Sequence, residues 1–404
     1  MTNKRSLLVF PLGLSVFATI TTEMNVIGVL PQLAERFDRS VSAAGIIVSI
    51  YALVVAVAGP FVTLVTSRLN RKTVLLAVLA IMTVSNVAYA LSTSFGLTLV
   101  FRAIPAVMHA TLFAVATVVA VSLSKPEAST KASAQVFAGV AVGLVLGVPI
   151  TSFLADTLSL GTAFFFGAAV SALAFVGLLV AMPSMPVAAK LSSGAQLRVL
   201  KRGQVWWNLA AVTFMFAAMF AVYGYFAEYL QRVTQVSPGT TSVLLVVFGA
   251  FGILGNTLFS KFLQRSVART TLIYPVVFLA VYALIYLLGA QFAPMMILLV
   301  VWGTVHSGGL IISQTWLSQA TADAPEFGNS LYISFSNVGI TFGTLLGGLV
   351  ISVLGTDQLL LGGIAFLLLA VLAIGTKVLH DARSSRGTLP PPQQQREPAP
   401  AAHA

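Results

Sequence analysis

Between residues 7 and 377 the chain is a near-continuous succession of apolar segments, each close to the length needed to cross a bilayer. A hydrocarbon layer about 30 Å thick takes roughly 20 residues of helix. By that measure spans run over residues 7–31, 42–66, 74–92, 96–122, 132–154 and 161–182, then 206–228, 240–262, 271–290, 294–318, 328–354 and 358–377. The pattern predicts an all-α membrane protein with twelve transmembrane helices. Composition agrees, since 58% of the 404 residues are hydrophobic and only 8% charged, too little charge to clothe a soluble protein. Connections as short as residues 93–95 and 291–293 require antiparallel neighbours. Lys4 and Arg5 precede the first apolar run, but that run outlasts a leader core of about 7–15 residues and ends without a small-residue cleavage site. The first segment is therefore expected to remain as a helix.

The formal charge of +11 is spread along the chain as membrane topology spreads it, not gathered on a face that would bind nucleic acid. With the N-terminus in the cytoplasm, eighteen Lys and Arg fall in inner segments, including Lys125, Lys131, Lys190, Lys201, Arg202, Lys261, Arg265 and Arg269. Only Arg36, Arg39 and Arg232 fall in outer loops, and Arg102 lies within a helix. Basic residues accumulate on the cytoplasmic side, so both termini are expected there. The polar stretch 184–205 is expected to be a cytoplasmic linker between an N-terminal bundle (1–183) and a C-terminal bundle (206–378). Residues 379–404, rich in proline and glutamine, are expected to form a disordered cytoplasmic tail.

The two halves echo each other at a spacing near 196 residues. Gly59 recurs as Gly255, each followed by a basic loop; Gly139, Gly143 and Gly147 recur as Gly339, Gly343 and Gly347; His109 has a counterpart in His306. Such duplication predicts two six-helix bundles about a pseudo-two-fold axis along the membrane normal, with a solute site between them at mid-depth. Glycines spaced by four put small residues on one helix face and let another backbone come close, so the ladders read first as packing surfaces.

The loop Ser67-Arg-Leu-Asn-Arg-Lys72 is similar to the D-R-x-G-R-R/K signature of the major facilitator superfamily. It departs at Ser67 and Asn70 and keeps Arg68, Arg71 and Lys72. Arg102 stands where that family expects its helix-4 arginine, and Gly143-Leu-Val-Leu-Gly147-Val-Pro149 is a loosened form of an antiporter motif. Thr21-Thr22-Glu23, Ile50-Tyr51-Ala52 and His109-Ala110 resemble the bacterial drug:proton antiporter group, and within it the sugar-efflux and purine-ribonucleoside-efflux branches. The resemblance implies a proton-coupled exporter of the bacterial inner membrane, acting as a monomer, with gating carried by the loop and glycine motifs.

Ionisable groups inside spans cost about 2.5–3.5 kcal/mol each at a helix centre, so those present are candidates for function. Glu23 lies eight residues before Pro31, about 12 Å from the outer end of helix 1 at 1.5 Å per residue, and Arg102 lies at a comparable depth in helix 4. A proton-switched pair between them is one reading and a static buried ion pair is the other. His109 is on the same helix face as Arg102, two turns on. His109, Asn25, Tyr223, His306 and Asn337 are candidates to line a solute cavity, although helix packing and interhelical hydrogen bonds use the same residue types. Glu228 and Asp156 read as side chains reaching the membrane interface, and Tyr225, Tyr229, Trp206 and Trp207 as an aromatic belt.

No cysteine and no metal-ligand cluster is present, and no zinc-protease, serine-hydrolase or phosphate-loop motif appears. The expectation is a transporter rather than an enzyme, with no cofactor and a proton gradient as its energy source. Its partners would be a small-molecule solute, protons and the lipid bilayer. Efflux of a sugar or nucleoside, multidrug efflux and uptake by symport share this architecture, and residue patterns leave the solute unspecified.

Overall fold

A computed structural model describes residues 2–122, 136, 139–140, 142–186, 198–323 and 325–386. Lys125, Lys131 and Lys190, the start of the expected fifth span, the middle of the linker and residues 387–404 lie outside the described residues. The N-terminal bundle comprises α1 (Thr2–Arg36), α2 (Ile46–Thr66), α3 (Arg71–Leu91), α4 (Phe95–Ser122), α5 (Val148–Thr157) and α6 (Leu160–Ala181). A five-residue π-helical segment, Gly143–Gly147, leads into α5, and a single turn, Val41–Ala44, leads into α2. The C-terminal bundle comprises α7 (Gly203–Tyr223, continued by Phe226–Arg232), α8 (Pro238–Arg265), α9 (Val267–Leu288), α10 (Phe292–Ala320), α11 (Pro325–Leu354) and α12 (Leu360–Arg386). Eleven of the helices are long and apolar enough to span a bilayer, and Gly143–Thr157 is the shorter twelfth. The last helix runs on to Arg386, past the expected start of a disordered tail at 379.

Helix starts coincide with polar caps in the hairpins, where backbone N–H groups would otherwise lack partners. Asn70 accepts from Lys72 N at 3.0 Å, Ser159 from Thr162 N at 3.1 Å, Ser237 from Thr240 N at 3.2 Å and Ser266 from Arg269 N at 3.3 Å. Pro238 occupies the first turn of α8, where its missing N–H does no harm.

The glycine ladders allow close approach. A Cβ at Gly139 would strike Gly13 O, and one at Gly143 would lie 2.7 Å from Ile20 Cγ2, so the segment leading into α5 lies directly on α1. A Cβ at Gly339, Gly343 or Gly347 would strike the carbonyl oxygens of Thr213, Ala217 and Ala221, so α11 lies equally close on α7. Both ladders therefore work within their bundles rather than between them. Pro149 has no N–H to offer the carbonyl of Val145, and the helix widens over that turn into the Gly143–Gly147 π segment.

Symmetry extends to a feature with no sequence signature. Helix α1 breaks at Val29 (φ −124°, ψ 15°) and α7 breaks at Tyr225 (φ −119°, ψ 24°), each just after a glycine, Gly28 and Gly224. The ends beyond the breaks, residues 30–36 and Phe226–Arg232, pack against each other where the bundles meet. Two seams flank them, α2 on α11 and α5 on α8. Hydrogen bonds cross the first from Ser42 Oγ to Gly348 O (2.6 Å) and between Ser49 and Thr344 hydroxyls (2.6 Å). They cross the second from Ser242 Oγ to Ser152 Oγ and to Asp156 Oδ2 (2.8 Å each). All of these lie toward the α1–α2 hairpin, so the molecule is fastened at that end.

Candidate functional site

The polar groups of the N-terminal bundle converge where α1, α2 and α4 meet. Every member is buried: Glu23 6% exposed, Asn25 0%, Tyr51 1%, Arg102 2% and His109 4%. Arg102 and His109 share a face of α4 two turns apart, which aims both at α1. The Arg102 guanidinium donates to the backbone carbonyl oxygens of Thr22 and Glu23, and Nη1 lies 3.4 Å from Asn25 Oδ1. It also sits 4.6 Å from the centre of the Tyr51 ring, a cation–π contact in a place without water.

Glu23 and Arg102 thus come together, but the arginine is engaged by the main chain of α1 rather than by the Glu23 carboxylate. A guanidinium placed in apolar surroundings needs acceptors for its fixed fork of donors, and the α1 carbonyls supply them. Among the described residues the group within ion-pair distance of the carboxylate is His109, with Nε2 3.9 Å from Oε2. Tyr51 hydroxyl lies 3.1 Å from His109 Nδ1. Asn86 of α3 donates to Thr22 Oγ1 at 3.0 Å, adding a second brace to the same turn of α1.

Tyr51 is the member that sequence reading passed over as a site residue, although Ile50-Tyr51-Ala52 is one of the matching motifs. The available signal was its α2 position opposite His109. Tyr51, Val55 and Ala106 form a small apolar cluster against which Ile333 of α11 packs, so the polar site adjoins the opposite bundle. Asn337, one turn beyond Ile333, donates to the Ile333 carbonyl at 2.9 Å and keeps its buried Oδ1 unpartnered.

His306 and Tyr223 do not join this cluster. Their rings are 4.9 Å apart, and His306 also meets Phe220, Phe248, Phe278 and Trp302 at 5.3–6.5 Å. Phe278 is contributed by α9, so the cluster reaches into the interior of the C-terminal bundle. Tyr225 and Tyr229 are each 1% exposed and donate to Thr344 O and Ile285 O, so they are interior braces and not an interfacial belt. Glu228 is 4% exposed and pairs with Arg232 at 3.3 Å, so it is not a side chain reaching out to water, whereas Asp156 is half-exposed and bonds across the α5–α8 seam. Trp206 and Trp207 are exposed, as a belt requires.

The basic loop has a use of its own. Asn70, standing where the family signature has glycine, accepts from Met185 N (3.3 Å) and donates to Ser184 Oγ (2.7 Å). Arg71 N donates to Met185 O (3.1 Å) and Lys72 Nζ to Leu179 O (2.8 Å), while Arg68 is exposed. The loop clasps the chain leaving α6. Arg202 forms a bidentate pair with Asp323 (2.9 and 2.8 Å) that ties the start of α7 to the turn after α10.

The model of the Major Facilitator Superfamily matches this chain over residues 12–324 and 209–403. The chain belongs to that superfamily. It is 26% identical over 356 residues to a probable sugar efflux transporter of Mannheimia succiniciproducens, covering 86% of this chain and 87% of that protein. It is also 26% identical over 366 residues to the purine ribonucleoside efflux pump NepI of Escherichia coli O6:K15:H31, covering 90% and 92%. Its fold is similar to the crystal structure of a bacterial homologue of the human lysosomal transporter Spinster in an inward-facing, unoccupied conformation. That match has a TM-score of 0.73 at 17% identity and covers 97% of this chain and all of the other. The protein is a multi-pass membrane transporter of the superfamily, whose members act on small molecules.

Proposed function

We propose that this transporter exports a small polar or amphipathic solute, such as a sugar or a nucleoside, in exchange for protons. The observation that carries the reading is the Glu23 carboxyl group, buried beside His109 while the neighbouring Arg102 is engaged by main-chain carbonyls. A carboxyl group held out of water with no dedicated counter-ion can gain or lose a proton without dismantling a salt bridge, which a proton-coupled cycle requires. His109 approaches that carboxyl at 3.9 Å and hydrogen-bonds Tyr51, whose ring packs toward Ile333 of α11 in the opposite bundle. Alternating access follows from two bundles fastened at one end: rocking about the paired helix ends closes one side as it opens the other.

The basic loops support a reading with both termini in the cytoplasm of a bacterial inner membrane, in which the fastened α1–α2 end faces outside. The efflux relatives support export and a sugar- or nucleoside-like solute. No cofactor enters the cycle, and a monomer suffices for it.

In proteoliposomes with an imposed proton gradient, Glu23→Gln should lose solute exchange while retaining solute binding in a thermal-shift assay. Undiminished uphill exchange by Glu23→Gln would refute the proton role. The solute itself is found by the same thermal-shift assay run against pentoses, ribonucleosides and lipophilic drugs. Loss of cellular solute that an uncoupler abolishes distinguishes export from uptake. Labelling of Lys72 or Lys261 by an impermeant reagent from outside the cell would reverse the assigned orientation.

A further inference from the structure

At the fastened end of the α5–α8 seam, groups from three helices form one hydrogen-bonded chain. Gln32 Nε2 of α1 donates to Asp156 Oδ1 at 2.7 Å. Ser242 Oγ of α8 lies 2.8 Å from Asp156 Oδ2 and 2.8 Å from Ser152 Oγ, both of α5. Ser152 Oγ lies 3.1 Å from the carbonyl oxygen of Gly28, the residue just before the α1 break. Ser152 and Ser242 are 1% and 3% exposed, and the remaining acceptor within reach of Ser242 is the Pro238 carbonyl at 3.5 Å. The chain therefore joins the hinge of α1 to the opposite bundle through Ser152 and Ser242, with a single carboxyl group, that of Asp156, among its members.

Counting hydrogens shows what that carboxyl does. The chain has four contacts: Gln32 to Asp156, Asp156 to Ser242, Ser242 to Ser152, and Ser152 to Gly28. Gln32, Ser242 and Ser152 each bring one hydrogen to them, and an ionised carboxylate brings none. One contact is then two oxygens facing each other without a proton. A proton on Oδ2 completes the set: Asp156 donates to Ser242, Ser242 to Ser152 and Ser152 to the Gly28 carbonyl, while Oδ1 still accepts from Gln32.

We infer that Asp156 is a second proton-binding site, a latch whose protonated form holds the two bundles together at the α1–α2 end. The charged groups that neighbouring elements bring to this end are Glu35 and Arg36 of α1, and Glu228 and Arg232, paired with each other, of the second part of α7, which packs on both α1 and α8. Glu35 and Arg36, with Gln32 and Ala155, line a surface depression of about 590 Å³. Arg36 is held by the carbonyls of Ala90 and Ser92, and the turns of α6 and α8 at this end carry no charge. Asp156 is itself half-exposed at this end of the molecule, where protons reach it from solvent. In this reading Asp156 regulates opening. Acid on that side keeps the gate shut, and its removal leaves one contact of the chain unsatisfied and the gate easier to open.

The chain contains no cysteine, so one introduced thiol reports opening directly. Ser49→Cys puts it in the other seam, at a site 4% exposed, and its maleimide labelling rate in purified protein measures opening at this end. Asp156→Asn keeps an acceptor and a donor in place and imitates the protonated carboxyl. The labelling rate with native Asp156, divided by the rate in the Asp156→Asn background at the same pH, cancels the ionisation of the thiol itself. That ratio should be near one at acid pH and rise to about fivefold at alkaline pH, the worth of roughly one hydrogen bond. Ser242→Ala breaks the chain and should label fast at both. A ratio that does not change with pH, or an Asp156→Asn protein that labels as fast as Ser242→Ala, overturns the inference. The inference rests on the alternating-access reading, but labelling involves neither solute nor Glu23. Failure of the latch therefore leaves the exchange reading standing, and failure of Glu23→Gln to lose exchange leaves the latch standing.

Discussion

The two bundles share one frame and fill it with opposite chemistry. Position by position at the 196-residue offset, Glu23 faces Met219 as its counterpart, Arg102 faces Leu298, Asn86 faces Tyr282, Met82 faces Phe278 and Ala106 faces Trp302. The polar partners of the N-terminal core are replaced by apolar and aromatic side chains in the C-terminal one, and the histidine pair is almost all that survives. His109 bonds to Tyr51 and approaches Glu23, whereas His306 is ringed by aromatic side chains. Duplication set the helix contacts, which both halves keep in their glycine ladders and matching breaks. The cores were then free to diverge, since a bundle needs a filled interior but not any one filling. One bundle became the place for charge and the other a rigid body for it to move against.

The largest test of this contrast converts one side into the other. Arg102→Leu installs the residue type of the C-terminal core and removes two charge-assisted hydrogen bonds worth about 1.5–3 kcal/mol each. Gradient-driven exchange in proteoliposomes should fall by about a hundredfold or more, and full activity would show that the polar core is ornamental. A paired substitution sharpens the point. His306→Phe, placed among aromatic rings, should leave the pH profile of exchange unchanged and the thermal midpoint within about 1 kcal/mol of wild type. His109→Phe should abolish or displace that profile. Equal effects from the two would erase the distinction between the halves.

Glycine substitutions probe the shared frame rather than the cores. Gly343→Ala forces a methyl onto the Ala217 carbonyl, while Gly143→Ala meets the side chain of Ile20, which can turn aside. Both should lower the unfolding midpoint in detergent by the equivalent of about 1–3 kcal/mol, the former by more. The smallest effect is expected of Tyr51→Phe, which keeps the ring under Arg102 and loses only the hydroxyl contact to His109. A loss of about 1 kcal/mol, seen as a several-fold change in exchange rate, would place that contact in the cycle.

The frame was legible in the sequence because lipid imposes it. Spans of about 20 apolar residues and the glycine spacings follow from the solvent and from close backbone packing, and they appear where expected. The site was legible residue by residue but not in its pairings. Glu23, Arg102, Asn25 and His109 meet as their depths and faces suggested, yet the choice of the arginine between a carboxylate and two carbonyl oxygens depends on side-chain reach that no spacing encodes. Tyr223 and His306 meet each other in an aromatic cluster of their own, a pairing that no spacing announced. The breaks at Val29 and Tyr225 left no mark, since a glycine within an apolar run is ordinary in membrane helices. Asp156 and Glu228 looked like interface residues because both come near span ends, and only the neighbouring helices reveal that Glu228 is buried and that Asp156 bonds across a seam.

The glycine ladders set how far a local event must travel. α1, which carries Glu23, rests closely on α5 and the segment leading into it, and α5 rests on α8 of the other half. In the mirror relation α7 rests on α11, which rests on α2. From the acidic group to the opposing half is therefore the width of one helix, about 10 Å, and the first contact near it is made by the short side chains of Ile20 and Thr21 against glycine. A shift of α1 has little thickness of side chain to cross before it reaches the surface on which the halves turn.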